Sequence, residues 1–224
     1  MKKFYSFVST MCIVLLMATT SHGGVIVGAQ GISSTGGDIG GDFALSGAID
    51  QTGLSAGYTS GVTDFSSVIS SVTHDTSITS NSGFTLGMGA AVFTFDLGSA
   101  ITVDALAFWQ APAGSGAVLG GGLFADDDAD FSNGNTGSLG GFFASANSDP
   151  IRAFTPDVVL FAGGAVTTQF IHLDVSASEL SDANNFAGIG EIAFRGAEVA
   201  VVPEPSSALL LSLAGGLFAL RRRR

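Results

Sequence analysis

The densest run of groups able to do chemistry is Asp126-Asp127-Asp128-Ala129-Asp130, followed by Asn133, Gly134 and Asn135. Carboxylates at the alternating positions Asp126, Asp128 and Asp130 can converge on a hard cation, as in calcium loops that take oxygen ligands from positions 1, 3 and 5. The run departs from an EF-hand at two places: Phe131 stands at the sixth position, where the turn needs glycine, and Gly137 at the twelfth, where an acid belongs. Two expectations follow, a calcium site on Asp126, Asp128 and Asp130, or a solvated hairpin tip between strands. Apart from calcium, the sequence calls for no cofactor.

His74-Asp75 and His172 could serve a serine–histidine–aspartate triad, but serine is too abundant to single out a nucleophile. Neither a G-x-S-x-G elbow nor an H-E-x-x-H helix is present. His172 is expected to face solvent or a sheet partner, and His74 to sit among the local hydrogen bonds of a Ser/Thr-rich stretch. Asp174, Glu179 and Glu191 lie among strand ends, which leaves paired-carboxylate glycoside hydrolysis open, since spacing along the chain does not report separation in space. Trp109 would stack on a sugar if exposed and anchor a core if buried. Alternation places it with Ile101, Val103, Ala105 and Ala107, an apolar face, and predicts burial. Gly120-Gly121-Gly122 has no accompanying lysine for phosphate and reads as a strand-end or bulge cluster.

These groups must be positioned by strands. Between residues 24 and 200 helical periodicity is scarce and period-2 alternation is common. In residues 91–97, Phe93, Phe95 and Leu97 oppose Val92, Thr94 and Asp96. Residues 101–110 follow after Gly98 and Ser99, so the two segments predict a hairpin. Ile171, Leu173 and Val175 oppose Phe170, His172 and Asp174, and Ile192 and Phe194 oppose Glu191 and Arg195. Further strands are expected at 25–29, 43–48, 117–124, 139–144 and 157–161. Ser176 with Glu179 forms a capping box that would start a helical turn near 177–183. Residues 59–82 read equally as edge strand or long loop. Short strands with glycine-rich turns predict an all-β body, an antiparallel β-sandwich or jelly roll, and 18 phenylalanines suit its dry core.

The chain has 224 residues, enough for one domain with appendages, and only 12% are charged. That composition excludes charge-driven disorder, and the 32 glycines follow no collagen repeat. Residues 24–201 hold two cations, Arg152 and Arg195, against eighteen acids, a net charge of −16. Such a body should repel nucleic acid and disfavours anionic membrane surfaces, because binding either requires basic clusters.

The remaining cations are at the ends. Lys2 and Lys3 precede an apolar run at 11–18, and Ser21-His22-Gly23 supplies small residues before a cut, so residues 1–23 read as a secretory signal with a signal helix. Cys12, the single cysteine, falls inside that run, so the exported body has no disulfide or thiolate chemistry. At the other end Pro203-Glu204-Pro205 precedes an apolar stretch at 208–220 and then Arg221, Arg222, Arg223 and Arg224. Thirteen helical residues reach about 20 Å, a marginal span of a hydrocarbon layer ~30 Å thick. The arginine cluster would keep this short transmembrane helix oriented with its end in the cytoplasm.

This order of proline triplet, apolar helix and basic cluster at residues 202–224 resembles the PEP-CTERM sorting signal of Gram-negative bacteria. The resemblance implies recognition by an exosortase, a membrane protease, a transient stay in the inner membrane, and release of the body to the cell surface or exterior. A permanent single-span anchor is the alternative. Within the body, Phe95-Asp96-Leu97-Gly98 leading into Ile101-Thr102-Val103, then Phe170-Ile171-His172-Leu173-Asp174-Val175, then Gly190-Glu191-Ile192-Ala193-Phe194 is similar to the discoidin-type, galactose-binding-like jelly roll over roughly residues 43–196. That resemblance implies carbohydrate binding through loops at one end of the barrel and carries over no contact residue.

The expected organisation is thus a signal peptide at 1–23, a β-sandwich body at 24–201 and a sorting signal at 202–224. The expected role is a non-enzymatic structural or adhesive one in exopolysaccharide or biofilm, with exopolysaccharide as a partner. A secreted polysaccharide hydrolase is the alternative.

Overall fold

The computed structural model describes residues 23–75, 82–86, 91–111, 117–133, 137–144, 153–178 and 186–196. Eleven strands appear among them: β1 Val25–Gly28, β2 Gly31–Ser34, β3 His74–Asp75, β4 Gly83–Leu86, β5 Val92–Gln110, β6 Val118–Asp126, β7 Gly137–Phe143, β8 Ala153–Phe154, β9 Asp157–Leu160, β10 Val166–Ser178 and β11 Phe186–Gly196. All the strand pairs described are antiparallel. The long β5 belongs to two layers. Its first part lies between β2 and β10, and its second between β9 and β11. From β10 the first layer continues through β6 to β7; from β11 the second reaches β1 and β4. The result is the antiparallel β-sandwich expected from the alternation.

Period-2 patterning decides what fills the space between the layers. Phe93, Phe95 and Leu97 of β5, Ile171, Leu173 and Val175 of β10, and Ile192 and Phe194 of β11 are buried in one cluster. The Phe95 and Phe194 rings meet edge to face at 6.0 Å between centroids. Each fully buried ring of this kind stabilises by about 1.5–3 kcal/mol relative to exposure. A second, smaller core lies on the other side of β11 and the end of β5, where Ala107, Trp109, Ala193 and Ile26 pack against Tyr58, Phe65, Val68 and Val72.

The short helix α1, Phe65–Ser71, supplies the cover for that core. Phe65 and Val68 are three apart and share a face, and the Asp64 carboxylate caps the first turn by accepting the Ser67 N–H at 2.7 Å. Trp109 is buried as predicted, and its Nε1–H donates to the Val72 carbonyl at the far end of the helix, 3.2 Å away. It is a core anchor and not a sugar platform.

Several elements differ from expectation. The predicted hairpin over 91–110 is one strand. Asp96 pairs with Phe170 and Ile101 with Thr168, so three extra residues bulge from β5 while its direction is kept. Gly98, at φ +82°, makes the bulge possible, and its N–H is held by Asp96 Oδ1 at 2.7 Å. Residues 43–48 form two 3-10 turns, Gly41–Phe43 and Leu45–Ala48, in place of a strand. Ser176 belongs to β10, which runs through Ser178, so the capping box does not start a helix at that point. The three glycines at 120–122 lie inside β6 and not at its end, but opposite a register shift of β10 between Val175 and Ala177, as the bulge alternative expected. A Cβ on Gly121 would stand 2.3 Å from the Asp174 carbonyl oxygen, so close strand approach requires glycine there. Residues 59–75 contain α1 and β3, with loop between. Among the described residues no helix is long and apolar enough to cross a membrane. The signal run, the PEP triplet Pro203-Glu204-Pro205 and the arginines at 221–224 lie outside the described residues.

Candidate functional site

Asp126 ends β6, and the acidic run forms the start of the connection to β7. Its alternation has a local cause. Asp126 Oδ1 accepts the N–H groups of Asp127 at 2.8 Å and Asp128 at 3.3 Å. Asp128 Oδ1 accepts the Asp130 N–H at 2.7 Å, and Asp130 Oδ1 accepts the N–H and hydroxyl of Ser132 at 3.0 and 2.7 Å. Three consecutive Asx turns thus step the chain into the 3-10 turn Phe131–Asn133. The Ser132 bonds hold the exposed Asp130 carboxyl below its usual range.

The expected triple of Asp126, Asp128 and Asp130 is therefore not what the fold gathers. The carboxylates within 4.8 Å of one another are Asp126, Asp127 and Asp128, and Asp130 is spent on Ser132. Nor is the tip uniformly solvated, because Asp126 is buried while Asp127 and Asp130 are exposed.

Beside Asp126 stands His172, which is fully buried and not at the surface. It occupies the outer face of its layer, opposite Thr94 on β5 and Phe124 on β6. Its cover comes from the acidic connection itself: the Phe131 ring lies 5.3 Å from the imidazole and 5.2 Å from Phe124. His172 Nδ1 is 2.9 Å from the Thr94 hydroxyl, and Nε2 is 3.6 Å from Asp126 Oδ2. Burial pushes the His172 pKa down, against the charges of Asp126 and Asp128 and its hydrogen bonding to the Asp128 backbone and Asp126 side chain. The neutral imidazole is thereby favoured. The Thr168 hydroxyl, which accepts the Asp126 N–H at 3.2 Å and bonds back to the Asp126 carbonyl, fixes the strand end.

An open recess of about 620 Å³ adjoins this polar group. It is lined by the end of β6, the start of β7, the stretch of β10 that holds the register shift between Thr168 and Phe170, and Ala100 of the β5 bulge. Thr167, Thr168, Gln169, Asp126 and Asp127 supply its polar lining. The Gln169 amide donates to Asp96 Oδ1 at 3.1 Å, and the Thr167 hydroxyl pairs with that of Thr102 at 2.7 Å.

The remaining candidates are dispersed. Glu191 is buried on β11, where Oε2 accepts the Gln51 N–H at 3.0 Å and Oε1 faces the Tyr58 hydroxyl at 3.4 Å. Burial pushes its carboxyl up to about 8; the Gln51 N–H opposes the rise, the Asp50 charge adds to it, and the Tyr58 hydroxyl opposes it. Asp174 pairs in register with Val92 and Glu191 with Trp109, at opposite ends of β5, so these two acids form no hydrolytic pair. Glu179 lies outside the described residues. His74 is buried in β3, paired in register with Phe154, and does not join His172 in any metal-capable group of three among the described residues.

Sequence reasoning placed the acids at a strand-to-strand connection and allowed His172 a sheet partner, which Thr94 is, but missed its burial beside Asp126 and the recess. The one available signal was Phe131, an aromatic inside a polar run whose ring had to be covered by something.

No family model matches the chain, and no curated protein matches it. Among solved structures the chain is similar to the CBM32 of AlyQ in complex with 4,5-unsaturated mannuronic acid, at 17% identity and a TM-score of 0.45 over 77% of this chain and 98% of that one. It is similar also to a pectin-binding carbohydrate-binding module, at 15% identity and a TM-score of 0.47 over 79% and 96%. A third is CBM32-3 from a family 31 glycoside hydrolase of Clostridium perfringens, at 13% identity and a TM-score of 0.48 over 77% and 96%. At these identities the likeness concerns the arrangement of strands alone.

Proposed function

We propose that this chain is exported and that its β-sandwich body is a non-catalytic module that holds hydroxyl-rich glycan at the cell surface or in the extracellular matrix. The observation that carries the reading is the recess beside Asp126. Its lining hydroxyls, amide and carboxylate can exchange hydrogen bonds with sugar hydroxyls, and a shallow open shape suits part of a polymer chain better than a small enclosed substrate. The net charge of −16 over residues 24–201 favours neutral over acidic polysaccharide wherever no cation intervenes. Export is supported by the resemblance of both termini to addressing segments, with an exosortase-type protease and a transient inner-membrane stay as the implied partners. The dispersal of Asp174 and Glu191 supports binding over hydrolysis.

A panel of neutral and acidic bacterial exopolysaccharides, tested with the full-length chain by affinity electrophoresis, decides this. Retardation by a neutral polymer is expected, weakened at least about tenfold by Thr167→Val combined with Gln169→Ala, with unfolding temperature as the control for folding. Retardation indifferent to both substitutions, or release of shortened polymer on incubation, would overturn the reading, the second outcome in favour of the hydrolase.

A further inference from the structure

The glycines of β6 serve its two faces differently. Gly121 turns towards Leu173 in the core, whereas Gly120 and Gly122 share the outer face with Phe124. Across the ladder Gly120 is paired with Phe143 of β7, and Gly122 with Gly141. On its other flank Gly122 is paired with Asp174 of β10, which lies on the same outer face as His172. The pleat therefore gathers Gly120, Gly122 and Gly141 into a shallow trough with no side chain on its floor.

Two rings border the trough. A Cβ on Gly120 would stand 2.9 Å from Cδ1 of Phe143, and one on Gly122 would stand 2.9 Å from Cε2 of Phe124. Each ring thus leans across the place where a side chain would otherwise stand, which only glycine permits. Phe143 touches the sheet along this one side and is still 85% exposed, so a π face is open to solvent. What surrounds the ring specifies the occupant. A protein partner needs about 800 Å² per side around a core of several apolar side chains. The outer-face neighbours of Phe143 are instead glycines and the half-buried Asp174, and the exposed Val158 and Leu160 belong to β9 in the other layer. A pyranose meets both features: its flat side of slightly positive C–H groups suits the negative ring face, and its hydroxyls suit a carboxylate acceptor.

We propose that this trough is a second sugar-binding surface, on which Phe143 stacks against a neutral pyranose of a polysaccharide and Asp174 accepts hydrogen bonds from its hydroxyls. The proposal rests on the reading of the body as a glycan-binding module, but on other residues. Gly137, at the recess, and Phe143 stand at opposite ends of β7, about 20 Å apart along the strand. A polymer of several sugars laid along β6 and β7 meets the recess and the ring at once, and two weak contacts on one chain reinforce each other. A backbone of all-equatorial sugars, as in a cellulose-type glucan, presents the flat C–H side that a single ring requires.

The test is affinity electrophoresis of the full-length chain in gels containing hydroxyethylcellulose, a soluble cellulose-type glucan, joined to sedimentation at the same protein concentrations. The parent chain should be retarded. Phe143→Ala should weaken the retardation about tenfold while leaving the unfolding temperature nearly unchanged, because the side chain is exposed. Phe143→Trp should keep or strengthen binding, whereas Phe143→Leu, which retains apolar bulk without a π face, should lose nearly as much as the alanine variant. Asp174→Ala should weaken it several-fold. Binding undiminished in Phe143→Ala or fully kept in Phe143→Leu would overturn the proposal, as would a parent chain that this glucan does not retard. Self-association abolished by Phe143→Ala would overturn it in favour of a second copy of the chain. The recess variant, Thr167→Val with Gln169→Ala, separates the two readings. Loss in that variant with Phe143→Ala unaffected leaves the recess alone as the sugar site; the reverse result leaves the trough alone.

Discussion

Glu191 shows how far a side chain's chemistry depends on partners that arrive from elsewhere in the chain. Alternation along β11 marked it as opposing Ile192 and Phe194, hence as polar and outward. Its actual neighbours, Gln51 and Tyr58, come from well over a hundred residues away, and the segment that carries them seals the outer face. Gln51 is held there at φ +65°, which a non-glycine residue adopts only under such constraint. The consequence for pH has a definite sign. Below the ordinary value of 4.5 the folded and unfolded chains both hold the proton; between there and about 8 only the folded chain keeps it. Unfolding then releases a proton, so stability falls as pH rises through this window and levels off above it. Glu191→Gln, an isostere of the protonated acid, should remove that slope and be the more stable protein at pH ~8.5 by a few kcal/mol, measured by denaturant unfolding from pH ~5 upward. The sheet partner of His172, Thr94, was among the expectations, but its burial was not, since its lid, Phe131, is contributed by a different connection. The burial of Trp109 was foreseen from its apolar strand, although of the four residues in that pattern Ala107 shares its core while Ile101 and Val103 pack in the main one, past a register shift.

Turn chemistry is ambiguous between the elements it can build. Gly98 and Ser99 flanked by alternating segments satisfy the pattern of a hairpin, yet the same residues also suit a bulge in a strand that continues. What decides is β10, which offers hydrogen-bonding edge to both Asp96 and Ile101, and no local pattern reports a partner seventy residues on. The acidic run illustrates the same ambiguity: aspartates at every second position satisfy the spacing of a cation loop, and three Asx turns use that spacing for backbone bonds. Strands with matching hairpin partners, such as β6 with β7, were readable, whereas the short polar β2 carried no period and the apolar residues at 43–48 read as a strand while forming 3-10 turns. Gly98→Val should cost about 1–2 kcal/mol, because a branched side chain at φ +82° is strained and its Cβ would crowd the Gln30 amide. Gly98→Asn should recover part of the loss, since asparagine tolerates that backbone region. Thermal unfolding of the two variants measures both.

Taken as a whole, the chain combines an acidic, cysteine-free β-sandwich with cationic, apolar ends. A body of this charge has few routes to nucleic acid or anionic lipid, and what remains is neutral polymer, cations, or proteins with basic surfaces. The proposed route outward rests on the last 23 residues and is checked by cell fractionation. Replacing Pro203, Glu204 and Pro205 with alanine should trap the full-length chain in the inner membrane and empty the extracellular fraction. An unchanged distribution between fractions would mark the tail as a permanent anchor. Mass spectrometry of the extracellular form should find both ends trimmed.

One strand, β5, contributes side by side to both layers of the sandwich and bends between them without interruption. Neither layer can therefore peel away while the other stays intact, because separating them means breaking this shared backbone out of four neighbours at once. Force applied near the β5 bulge would be borne along the covalent chain into both halves together. Separation of the layers is therefore expected to be cooperative, with neither half opening ahead of the other.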